Sequence, residues 1–247
     1  MGNKRIGLNI QNSGRLLARI DHYYALSVDI VGEFGGPSLY FHQEAVKVQK
    51  SDFLSFRHLE MMYATLASWG MHRMGDPEET KAKLVEFDEF RNSILNQRER
   101  LNEYKEYRFE EISNERYLEI FDDIKDVFLG LRISISNTIL VANAKTLAHI
   151  LPDLFPPLDR NFIVRFFTQD ESEFFKGDGK YRTIQIPSGN ERQFEMFKDL
   201  CNKIKELFGR CDKKLFCVNG VGFNTSYPKI MDNLIVAYVK SVPRPKS

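Results

Sequence analysis

The chain reads as a mainly α-helical, multi-helix protein. Apolar residues recur at three- and four-residue spacing in one segment after another, with helix-start residues ahead of them at Ser13, Ser113 and Ser226. Candidates for extended structure are confined to the aromatic run 38–42 and a short β element at 181–186.

Taken in order, Ser13 is placed to cap an amphipathic helix over 14–31 carrying Leu16, Leu17, Ile20, Tyr23 and Tyr24. Gly32, Gly35, Gly36 and Pro37 break it, leaving Ser38-Leu39-Tyr40-Phe41-His42 as an aromatic loop or short extended piece. A second helix is expected from Ser51 or Asp52 through Leu59, Met62, Leu66 and Trp69, stopped by Gly75. Asp76-Pro77-Glu78-Glu79 sets a cap, a first-turn proline and acids at the start of a third, running through Leu84, Phe87, Phe90 and Ile94. Ser113 opens a fourth through Tyr117, Phe121, Ile124 and Phe128, closed by Gly130. Past the central segment, 174–189 breaks the helical pattern like an insertion or lid. Asn190 with Gln193 then forms a capping box for a helix bearing Phe194, Phe197, Cys201 and Phe208. A short apolar piece at 214–218 precedes Ser226, which caps the last helix through Ile230, Leu234 and Tyr238. With no internal repeat and no linker, the expected organisation is one helical domain over 1–247; the alternative is two helical lobes, about 1–130 and 131–240, with a cleft between them.

Composition narrows the function classes. The 43% hydrophobic fraction, with 20 Phe and 10 Tyr beside a single Trp, points to an aromatic core. Cys201, Cys211 and Cys217 lack a Cys-x-x-Cys pair and read as reduced thiols. No stretch approaches the ~20 apolar residues of a membrane span, so a cytoplasmic, membrane-free protein is expected; it is taken as a monomer. The five histidines show no paired-ligand spacing, and no phosphate-binding loop or dinucleotide fingerprint occurs, so neither metal nor cofactor is expected. Net charge is +1, and basic residues cluster locally, among them Lys213 and Lys214.

The segment most able to carry chemistry is 133–168, ISISNTILVANAKTLAHILPDLFPPLDRNFIVRFFT. It reads as a polar hairpin, a helix over about 141–151, a turn stiffened by three prolines, and a second helix opening at Asp159. A carboxylate there is either an N-cap or a catalytic group. The order of parts over 128–167 resembles the helix-hairpin-helix base-excision DNA glycosylases, the superfamily of endonuclease III-like and 8-oxoguanine enzymes. The hairpin departs from the family's glycine-rich pattern, having Ser136-Asn137 instead.

That resemblance implies a helical glycosylase fold, duplex DNA bearing a damaged or modified base as the partner, and cleavage of the N-glycosidic bond after base flipping. Asp159 takes the place of the family's catalytic aspartate, and Lys145 that of the lysine through which some members form a Schiff base and nick the strand. Trp69, His72, Arg73, Tyr40 and His42 have the chemistry of a base pocket. Asn137, Arg160, Arg165, Lys213 and Lys214 are candidates for DNA contact. The rival from another class is a non-enzymatic helical nucleic-acid-binding or interaction protein, with Asp159 a plain cap and Lys145 a solvated lysine. Repair and phage defence are equally open as the setting.

Overall fold

The structure, a computed structural model, describes residues 11–32, 35–71, 83–218 and 222–245. Among these residues the architecture is helical throughout, with no strand. The helices are α1 (Gln11–Ala18), α2 (Ile20–Gly32), α3 (Pro37–Ser51), α4 (Phe56–Leu66), α5 (Phe87–Leu95), α6 (Arg98–Glu103), α7 (Asn114–Gly130), α8 (Leu140–Ile150), α9 (Arg165–Thr168), α10 (Asn190–Phe208) and α11 (Tyr227–Ser241). No described helix is long and apolar enough to cross a membrane.

The centre of the packing is α8. It touches α3, α4, α7 and α10, and every residue of it except Val141 is buried. Around it one hydrophobic cluster runs from Leu16 to Val239. A stack of phenylalanines fills the α7–α10 side, with Phe128 and Phe197 rings 4.8 Å apart and nearly parallel. On the other side, α11 packs against α2 and against a wide turn at Arg160–Val164 that leads into α9.

Two helix starts follow the sequence closely: the hydroxyls of Ser113 and Ser226 accept from the backbone N–H of Arg116 and Lys229. Elsewhere local signals were overridden. The helix expected over 14–31 is two, broken at Arg19, and Ser13 is buried inside α1 rather than capping it. Residues 38–42 are helical, because Pro37 sits at the first turn of α3, where its missing N–H costs nothing, and Gly36 precedes it at φ 73°. Consequently Ser51 ends α3, and Ser55 caps α4 by accepting from His58 N–H. A wide turn at Ala67–Met71, with Gly70 at φ 87°, follows α4. The start signal at Asp76-Pro77 and the stop at Gly75 lie outside the described residues. Leu84, expected in a helix, instead bridges Ser134, and α5 begins at Phe87. Residues 181–186 form no strand; Tyr181 makes an isolated bridge to Phe175.

The capping box at Asn190 is also replaced. Gly189, at φ 91°, precedes α10, and Gln193 is turned toward α8. Its Oε1 accepts from Leu140 N–H at 2.9 Å and its Nε2 donates to Asn137 O at 3.2 Å, so it caps α8 from a neighbouring helix. The hairpin between α7 and α8 manages without glycine because Ser134 and Ser136 hydroxyls accept from the N–H two residues on.

Arg165 is fully buried and does not reach solvent, which corrects its expected place in DNA contact. Its guanidinium donates to the carbonyls of Asn161, Phe174 and Arg182 and to Gln169 Oε1, and lies 4.6 Å from the Tyr181 ring centroid. It ties α9 to the 174–182 loop. Replacing Arg165 by Ala orphans these acceptors and opens a void, so urea unfolding should show a loss of at least about 3 kcal/mol. A loss below about 1 kcal/mol would contradict that structural role.

Candidate functional site

Asp159 ends the proline-stiffened turn in extended geometry and caps the wide turn that follows, its Oδ1 accepting from Asn161 N–H at 2.7 Å. Its other oxygen is directed elsewhere: Oδ2 lies 3.4 Å from Lys145 Nζ. Cap and candidate catalytic group are therefore not exclusive, because the carboxylate divides its two oxygens between them. The Lys145 side chain is only 10% exposed, against the solvated lysine that the sequence also allowed. Since α8 is buried nearly all round, its ammonium escapes the apolar interior only at this cavity.

The cavity, about 300 Å³, is lined by Trp69, Lys145, Pro157, Asp159 and Phe162 together with Phe223, Lys229, Asp232 and Asn233. Trp69 thus joins Asp159 and Lys145 in one site, with Lys145 Nζ 5.5 Å from the indole centroid. A second ion pair, Lys229 Nζ to Asp232 Oδ2 at 2.6 Å, is nearly sealed, and Lys229 also donates to Asn233 Oδ1. Burial pushes the Asp232 carboxyl above its ordinary value and Asp159 adds repulsion, while Lys229 and Lys145 pull it back.

Behind the cavity His42 is buried, its ring stacked 5.2 Å from Phe223 and tilted against Trp69. It belongs to a hydrogen-bonded chain with fixed proton positions. The Lys145 carbonyl can only accept, so His149 Nδ1 carries the proton in that 2.7 Å bond. His149 Nε2 must then accept from His42 Nδ1 at 3.1 Å, and His42 Nε2 accepts from the Thr225 hydroxyl at 3.1 Å. His58 accepts from Leu54 N–H and donates to the His149 carbonyl. The chain crosses from the loop before α11, through α3, to the backbone of the helix that carries Lys145.

The remaining sequence candidates lie apart. Tyr40 is 53% exposed against Phe41 and does not line the cavity. His72 and Arg73 lie outside the described residues. Asn137 is exposed at the hairpin and Arg160 half-buried beside Asp159. Lys213 and Lys214 are exposed beyond α10, Lys213 donating to Glu110 O. Sequence reasoning missed Phe223, Lys229, Asp232 and Asn233. The signal was present: behind the Ser226 cap, Lys229, Asp232 and Asn233 stand at three- and four-residue spacing, a polar stripe on an otherwise apolar helix. No cluster of His, Cys, Asp or Glu able to hold a metal occurs among the described residues. Comparison of the chain with protein-family models, curated proteins and solved structures finds no match.

Burial holds His58 and His149 at about 4 and His42 well below its ordinary value. The folded state keeps them neutral, whereas the unfolded chain protonates them below about 6.5, so stability is expected to fall as pH drops from 6.5 to 4. The limit is about 3 kcal/mol for each of His58 and His149. Chemical denaturation across that range measures it; a flat profile would contradict neutral burial.

Proposed function

We propose that this chain is a DNA N-glycosylase, with Lys145 and Asp159 acting on the deoxyribose of a flipped nucleotide. The observation that carries the reading is the ammonium–carboxylate pair, 3.4 Å apart, set on the wall of an aromatic cavity. The cavity is at the small end of ligand pockets, about 300–1,000 Å³, a fit for one base out of the stack, with Trp69 and Phe223 among the residues that line it.

In this reading the two groups divide the work. Asp159 takes a proton from the Lys145 ammonium, and the freed amine attacks C1′ as the bond to the base breaks. The base leaves with the bonding pair and recovers a proton from Asp159. The nitrogen now bonded to C1′ carries two protons; it passes one through Asp159 to the ring oxygen as the C1′–O4′ bond opens, which leaves a protonated imine on Lys145, from which β-elimination would cut the strand on its 3′ side. In this reading Asp159 also faces the positive charge that develops on the sugar. Asn161 N–H holds the Asp159 carboxylate, and His149 anchors the backbone from which the Lys145 side chain extends.

The test is incubation with duplexes carrying a panel of modified bases, followed by alkali to reveal abasic sites. Asp159→Asn keeps a good capping residue and is expected to lower base release at least ~100-fold; full activity in that variant would remove Asp159 from the mechanism. Release of no base from any duplex would favour the non-enzymatic binding role. Lys145→Gln should abolish strand cutting without alkali.

A further inference from the structure

The second ion pair in the cavity takes no part in attack on the sugar. Lys229 stands in the first turn of α11, at the end where the helix dipole disfavours a cation, and a buried ion pair is often no better for folding than apolar residues of the same shape. Asp232 and Asn233 are buried as well, and all three line the cavity. The Lys229 ammonium has three N–H donors, of which Asp232 and Asn233 take two.

Its position limits what else can enter. Lys229 Nζ is 5.2 Å from the Phe223 centroid and 5.8 Å from that of Trp69, and Lys145 Nζ is 5.5 Å from the same indole. Aromatic walls attract a cationic ligand through their ring faces. Here two ammonium groups of the protein, each paired with a carboxylate, already occupy that field, so a positively charged base gains nothing from the ring faces unless it displaces one of them. A neutral base with a ring N–H beside a carbonyl matches the pair as it stands: the carbonyl accepts from the third N–H of Lys229, and the ring N–H donates to the Asp232 carboxylate.

We infer that Lys229 and Asp232 read the edge of a neutral keto base, as in hypoxanthine or uracil, and reject bases made cationic by N-alkylation. This names the substrate class of the proposed glycosylase and rests on that reading for the source of the base. Recognition itself can be measured without catalysis, because Trp69 is the chain's single tryptophan and lines the cavity. Its fluorescence is followed during titration with inosine, a neutral keto purine nucleoside, and with 1-methyladenosine, a cationic one of similar size. Inosine is expected to bind at least roughly tenfold more tightly. In the double variant K229Q/D232N, which replaces both charges by amides of similar shape, the preference should shrink to within roughly threefold.

Equal or tighter binding of 1-methyladenosine, no response to either nucleoside, or an unchanged preference in the double variant would overturn the inference. Should the variant fail to fold, the wild-type comparison decides by itself. Preference for inosine in a chain that releases no base from any duplex would remove the glycosylase activity and uphold the recognition.

Discussion

A charged residue on a helix that is buried nearly all round must bring its charge out somewhere, and in this protein that requirement organises the site. The helix over 140–150 is enclosed by four others, yet carries Lys145 at its middle. Leaving an ammonium unpaired in such surroundings costs several kcal/mol, so the chain must supply a carboxylate where the side chain emerges. The prolines before Asp159 make that possible: they hold the turn against the protein while one carboxylate oxygen caps the next segment and the other faces Lys145.

The same helix is held from behind by hydrogen bonds whose proton positions are all determined. The Lys145 carbonyl sets the tautomer of His149, which sets that of His42, which turns Thr225. Since Thr225 adjoins the cap of the last helix, the wall carrying Lys229 and Asp232 is tied to the wall carrying Lys145 through neutral, buried groups. Two ammonium and two carboxylate side chains then line one small space with their formal charges balanced.

Much of the helical character was legible because burial follows the apolar spacing: Tyr117, Phe121, Phe128, Phe194 and Phe197 are all core residues. Boundaries failed where a local signal had two uses. Gln193 looked like half of a capping box and serves a different helix, and Pro37 looked like a breaker and is a first-turn proline. Lys145 came only through the family resemblance, while Asp159 could be named from its rigid turn and Trp69 from its base-pocket chemistry. Their convergence could not, because it depends on how the last helix folds back. Arg165 shows the converse: an arginine next to the proposed site reads as a phosphate contact until its acceptors, four distant or neighbouring oxygens, are seen.

The central claim is that Lys145, held by Asp159, attacks the sugar, and covalent capture tests it most directly. Reduction with borohydride during incubation with a duplex carrying an abasic site, followed by proteolysis and mass spectrometry, locates the amine that formed the imine. The account expects the deoxyribose remnant on Lys145. A remnant on Lys229 alone, or no adduct at all, would contradict it.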